Sequence, residues 1–267
     1  MERPRGSAPH GLLDGVAGFG SLARFTGRTF AWMFTARPPG RQLLRQMHEV
    51  AVRSVPVVLI TGTFIGMVLA AETFTQFEKW GLRNRIGGIV NITMVKELGP
   101  VLAALMLAGR VGSAMAAELG TMRVTEQIDA LRAMGADPIH HLVVPRVLAC
   151  IVYIPVLTVV ADLCGVIGGY VLSVHVLGAD EHYYWRWSAG YVEVWDILCG
   201  VWKALFFGAA ISVISCYKGF HCRPGAEGVG RAATEAFVAS FIAILIIDFL
   251  LILLLQDLYR LIYAGTV

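Results

Sequence analysis

Residues 92–120 read ITMVKELGPVLAALMLAGRVGSAMAAELG, and this stretch decides the fold. Residues 98–117 are apolar or small except for Arg110. That is about the 20-residue length a helix needs to cross a hydrocarbon core. Ala104, Ala108, Gly112, Ala116 and Gly120 recur at every fourth position. The stripe they form lets helices approach closely in lipid. Gly62, Gly66 and Ala70 give the preceding apolar run, 55–71, a similar stripe. Both faces are expected to pack inside the protein.

The rest of the chain agrees. It has 267 residues, 57% hydrophobic and 15% charged, whereas a soluble domain averages roughly 25% charged residues. The aliphatic content excludes disorder. A net charge of +3 is too small to argue for nucleic acid. The five cysteines form no CxxC pair and four lie in apolar runs, so neither a disulfide framework nor a metal site is expected. The reading is an all-α polytopic membrane protein. Its spans are 51–77, 92–120, 141–178, 196–217 and 235–260, after a disordered tail, 1–11.

Residues 12–50 hold two helices separated by Arg37-Pro38-Pro39-Gly40. The first is amphipathic with Arg24 and Arg28 between its apolar positions. It either lies in the membrane interface, with Phe25, Phe30 and Trp32 at the acyl boundary, or packs on the rest of the protein. The 33 residues 147–179 carry one charge, Asp162. They form one tilted or kinked helix, or two short ones meeting near Gly165, Gly168 and Gly169; one is preferred, since no polar turn interrupts them. Connectors are expected at 78–91 and at 178–196, where Tyr and Trp suit a membrane interface.

Residues 121–135 are too charged to span. Thr125, Glu126, Gln127, Asp129 and Arg132 alternate with Met122, Val124, Ile128, Leu131 and Met134, and Gly135 and Pro138 stop the helix. With the N-terminus inside, the cytoplasmic side carries fourteen basic residues against five. The positive-inside rule therefore places both the N-terminus and segment 121–135 in the cytoplasm.

Charges inside spans cost about 2.5–3.5 kcal/mol each on insertion scales and usually face a cavity or a partner. Here they are Lys96, Glu97, Arg110, Glu118, Asp162, Lys203 and Asp248. Lys96 and Glu97 precede Pro100, which kinks a helix. They form either a pocket for a polar head group or a structural ion pair. Asp162 and Asp248 either pair with Arg110 or Lys203, or relay protons. No P-loop, HExxH or GxSxG occurs. No catalytic residue is assigned, no cofactor is expected on this chain, and ATP would have to be used by another subunit.

The motifs GTFIGMV (62–68), KELGPV (96–101), AGRVGSA (108–114), AELGTMRVTEQIDA (117–130), MGADP (134–138), IPVLT (154–158) and GRAAT (230–234) together resemble the MlaE (YrbE) family of ABC-transporter permeases. The resemblance runs from about residue 12 to near the C-terminus. It implies a homodimer in the bacterial inner membrane that moves phospholipid to or from a periplasmic carrier and supports outer-membrane lipid homeostasis. The implied partners are a cytosolic ATPase of the MlaF type using ATP and Mg, an MCE-domain protein of the MlaD type, and a STAS subunit of the MlaB type. Segment 121–135 would be the coupling helix. The lipid pocket would include Leu69, Trp80, Lys96, Glu97 and Leu98, with Lys96 standing where the family commonly has Arg. A proton-driven secondary transporter and a membrane scaffold are the alternatives from other classes. The first would need inverted repeats, and none is evident. The second would not require buried charges.

Overall fold

The structure, a computed structural model, describes residues 11–35, 40–82 and 85–263. Except for Gly11, the expected N-terminal tail lies outside them, as do Arg37-Pro38-Pro39 and Arg83. The described residues form α1 (Gly11–Thr35), α2 (Gly40–Ala51), α3 (Val55–Lys79), α4 (Ile86–Val124), α5 (Gln127–Ala133), α6 (Ile139–Val176), α7 (Glu181–Tyr191), α8 (Val194–Phe220) and α9 (Ala226–Tyr263), with no strand among them. Five stretches are long and apolar enough to cross a membrane: α2 with α3, then α4, α6, α8 and α9. At 39 residues, α4 is about 58 Å long and overruns the hydrocarbon core.

Several boundaries differ from the sequence reading. Helix α4 starts at Ile86, inside the expected connector. Its first turns are held by α7, which forms where a second connector was expected. A Cβ on Gly87 would fall 2.4 Å from the Tyr184 carbonyl, so the two backbones touch. Buried Asn91 donates to Ser188 Oγ (2.8 Å) and accepts from the Tyr184 hydroxyl (3.1 Å). Burial pushes the Tyr184 phenol up to about 12, so it stays a neutral donor. The Asp180 side chain caps α7 by accepting from the Tyr183 N–H.

Wide, π-helical turns interrupt α4 at 94–98 and 108–112 and form the two ends of α6 at 139–143 and 171–176. Two of them immediately precede prolines, and the cause is local. Proline crowds the residue before it and donates no N–H. Gly99, before Pro100, reaches back five residues to the Met94 carbonyl, and Val144, before Pro145, does the same to Ile139.

Helix α6 runs unbroken from Ile139 to Val176. Its glycines are contact points rather than a break. A Cβ on Gly66 of α3 would lie 1.9 Å from the Gly165 carbonyl, and one on Gly62 would lie 2.7 Å from that of Ala161. The small-residue stripe of α4 is likewise buried within the chain. Gly112 faces Ile211 and Ser215 of α8, and Gly120 faces Cys222 and Val229.

Helix α1 packs on the protein. Phe25 is buried against Tyr217 and Phe220 of α8, not turned to lipid. Asp137 accepts from Arg28 and from Trp32 Nε1, each at 3.0 Å, and also from the Ile139 N–H. The loop after α5 is thereby pinned to α1. Arg146, one of the fourteen basic residues that the sequence assigns to the cytoplasmic side, is buried. It pairs with Glu118 at 2.7 Å and donates to the Leu142 carbonyl.

The backbone contact of α3 with α6 gives a direct test. Gly66→Ala should lower the thermal unfolding midpoint of the detergent-purified protein, at a cost of about 1–3 kcal/mol for overpacking. Gly190→Ala, whose Cβ would meet nothing within 4 Å, should leave it unchanged or raise it.

Candidate functional site

The site is built from the turn at Pro100. Because Pro100 donates no N–H, the carbonyl of Lys96 loses its usual helical partner. The Lys203 ammonium of α8 takes that place, 3.3 Å away. Its side chain is only 1% exposed. It also donates to Glu97 Oε2 at 2.5 Å and lies 3.1 Å from Asp248 Oδ1 of α9. The Asp248 contact is a charge contact without hydrogen-bond geometry. One ammonium thus ties together α4, α8 and α9, and buried charges of this kind need both partners and hydrogen bonds.

Lys96 points to a different partner, Asp196 Oδ1, at 2.9 Å. Asp196 also accepts the Glu193 N–H on Oδ2 (3.0 Å), while the Glu193 side chain accepts the Asp196 N–H. This reciprocal capping box starts α8. Asp196 therefore fixes the helix end with one oxygen and Lys96 with the other. In the sequence Asp196 falls where the connector 178–196 meets the span 196–217, and Glu193 is not a residue favoured at an N-cap, so the box is no sequence signal. So Lys96 and Glu97 do not pair with each other; each meets α8.

Lys96, Glu97, Asp196 and Lys203 line a cavity of about 280 Å³ between α4, α8 and α9, which Glu193, Trp195, Tyr259 and Arg260 also border. Against it lies a second, apolar cavity of about 350 Å³ between α8 and α9, lined by Trp202, Phe206, Leu251, Leu254 and neighbours. Trp195, Cys199 and Leu255 line both. A charged chamber thus adjoins a greasy slot.

Of the five residues expected at a lipid pocket, Lys96 and Glu97 line this cavity. Leu69 packs instead with Ala70, Phe74, Ile86 and Val90. Leu98 is half-buried outside the cavity lining. Trp80 is exposed at the end of α3, with its ring 5.7 Å from Phe77. Asp248 pairs with Lys203 as one expectation had it. Asp162 meets neither Lys203 nor Arg110; it packs against Gly99, and its Oδ1 has no partner among the described residues. Arg110 donates to Ser54 Oγ.

At the opposite end, segment 121–135 is not one helix. Residues through Val124 continue α4, and Glu126 turns the chain with φ of 58° before α5 begins. That left-handed conformation costs a non-glycine residue roughly 1 kcal/mol or more. Ile128 is buried among Leu119, Val143 and Phe220 and anchors α5. Asp129 is held by Arg123 (2.6 Å) and Arg132 (3.0 Å). Thr125, Glu126, Gln127, Arg132 and Met134 are exposed, Met134 at 73%.

Removing one partner from the Lys203 cluster should be severe. Lys203→Met strands two carboxylates and should cost about 3–5 kcal/mol. Adding Glu97→Gln and Asp248→Asn to the same chain should recover part of the lost thermal stability, read as the unfolding midpoint in detergent.

Comparison with known proteins agrees with this architecture. The model of the family "Permease MlaE" matches residues 43–254. A "Probable ABC transporter permease protein" of Rickettsia typhi is 45% identical over 209 residues, 78% of this chain and 81% of its own length. Protein TRIGALACTOSYLDIACYLGLYCEROL 1, chloroplastic, of Arabidopsis thaliana is 41% identical over 79% of this chain and 60% of its own. The "Intermembrane phospholipid transport system permease protein MlaE" of Haemophilus influenzae is 36% identical over 78% and 80%. With five apolar helices and a family match across most of its length, the chain belongs to the MlaE family of ABC-transporter permeases.

Proposed function

We propose that this chain is the inner-membrane subunit of a system that moves phospholipid between the membrane and a periplasmic MCE-domain carrier, and so contributes to outer-membrane lipid homeostasis. One observation carries the reading: the charged cavity and the apolar slot share a wall of Trp195, Cys199 and Leu255. A phospholipid has the same two parts in the same order. Lys96 offers its ammonium to a phosphate, Glu97 faces the amine of a zwitterionic head group, and the α8–α9 slot takes an acyl chain. The name of the Haemophilus relative supports this cargo. Leu69 of α3, Trp80 just after it and Leu98 of α4 would extend the proposed pathway toward α3.

In this reading a cytosolic ATPase of the MlaF type supplies the energy and docks on α5, where Glu126, Gln127 and Met134 are uncovered. The N-terminus is cytoplasmic, on the side richer in basic residues. A second copy of the chain completes the permease. The long apolar face of α9, including Ile242, Ile246, Phe249 and Leu253, is exposed in a single chain and suits that partner and lipid. MlaD-type and MlaB-type subunits complete the complex.

Mass spectrometry of lipid that co-purifies with the complex should find phospholipid. Leu255→Trp, which fills the shared wall, should lower its recovery several-fold without lowering thermal stability. Recovery of a phosphorus-free hydrophobe in place of phospholipid overturns the cargo. Glu126→Lys should weaken assembly with the ATPase and uncouple its turnover, whereas Glu126→Gly, which suits the left-handed backbone, should keep the fold. Full assembly and coupling in Glu126→Lys and in Glu126→Lys with Met134→Glu would remove α5 from the docking surface.

A further inference from the structure

A second charged cavity lies at the other end of α4. It measures about 510 Å³ and is walled by α2 and α4, with Arg45, Gln46, Glu49, Arg53, Arg110 and Glu118 around it. The carboxylates there are already engaged. Glu49 pairs with Arg53 at 2.8 Å and Glu118 with Arg146 at 2.7 Å. Arg45 and Arg110 have no carboxylate within salt-bridge distance among the described residues. Arg110 has one neutral partner, the Ser54 hydroxyl. Gln46 is 6% exposed, lines the cavity, and makes no side-chain hydrogen bond among the described residues.

A partly buried guanidinium without a counter-charge is costly, and the Gln46 amide adds a donor at the cavity wall. Their surplus donors converge on one space. Each guanidinium carries five N–H donors in a planar fork, and that geometry matches phosphate oxygens. The level of the cavity also matters. Arg110 touches Ser54, the residue at which α3 begins. That places it at one boundary of the apolar belt, where phosphates of a bilayer lie. Exposed Leu44 and Val52 flank this region in sequence.

We propose that the cavity between α2 and α4 binds a phosphate group, with Arg45 and Arg110 as its cationic ligands and the Gln46 amide as a neutral donor. The site is separate from the Lys96–Glu97 cavity and does not depend on phospholipid being the transported cargo. Its phosphate comes either from a lipid head group of the facing leaflet or from a soluble phosphate.

The test uses the full-length permease in a neutral detergent. Thermal stabilisation is titrated with dioleoylphosphatidylglycerol in mixed micelles and, separately, with inorganic phosphate. The same titrations are run on Arg45→Gln, Arg110→Gln and, as a control, Arg24→Gln, an exposed position on α1 that lines neither charged cavity. Arg45 is exposed, so its variant keeps the fold even if Arg110→Gln does not. The midpoint of the titration should move to roughly tenfold higher ligand in Arg45→Gln, the effect of losing one charge-assisted hydrogen bond. It should stay in place in Arg24→Gln. Stabilisation by the lipid alone assigns the source to the bilayer, and stabilisation by inorganic phosphate as well assigns it to solution. Identical titrations of the wild type and Arg45→Gln with both ligands, or an equal shift in Arg24→Gln, overturn the site.

Discussion

Pro100 has no N–H, and in the middle of an apolar helix bundle that absence has consequences. The Lys96 carbonyl cannot be left without a donor away from water. The donor that reaches it is a lysine ammonium from another helix. A buried ammonium then needs carboxylates, and Glu97 and Asp248 supply them. The wide turn at 94–98 places Glu97 within reach of Lys203, while Lys96 is left to meet Asp196 at the start of α8. The relative rotation of α4, α8 and α9, and with it the charged cavity, follows from one missing backbone donor.

Close backbone packing makes the rest possible. Helices in lipid have no hydrophobic drive toward one another, so contact area and small residues decide which faces meet. Gly62 and Gly66 bring α3 onto α6 at Ala161 and Gly165. Gly112 and Gly120 bring α8 and the following loop and helix onto α4. With those faces consumed by glycine and alanine, the large apolar side chains of α3 and α9 are left outward.

These faces were legible in the sequence because they are local and periodic. The five spans, the stripe of α4 and the basic excess of one side each need only a window of a few turns. Charge partners were not legible, since they depend on how deep each helix sits and how it is rotated. Asp196 looked like part of an aromatic loop, and Arg146 like a surface residue at a span entrance. Glu118 comes within reach of Arg146 only because α4 overruns the apolar belt as a continuous helix. Arg110 is similar: its one-dimensional neighbours place it in mid-span, while Ser54 shows that it lies at a boundary. Helix α7 was hidden for another reason. Its residues are individually compatible with an interface or a loop, and only the glycine pair at 87–88 reveals a partner surface.

Helix α4 is also what relates the two ends of the molecule. Lys96 and Arg110 are fourteen residues apart on it, about 21 Å along the axis. Each lies in a wide turn, so the two charged levels are where the helix departs from regular geometry. Beyond Arg110 the helix continues to Val124 and turns at Glu126 into α5. Helix α5 is not a loose appendage. Ile128 sits in a cluster with Leu119 of α4, Val143 of α6 and Phe220 of α8, and Asp137 just after it holds α1. A force applied to the exposed side of α5 therefore acts on the bases of α4, α6 and α8 together. The same three helices position Gly99, Asp162, Lys96 and Lys203 at the far end. Any rearrangement that shifts α8 against α4 must break or re-form the Lys203 and Asp196 contacts, and those contacts line the cavity.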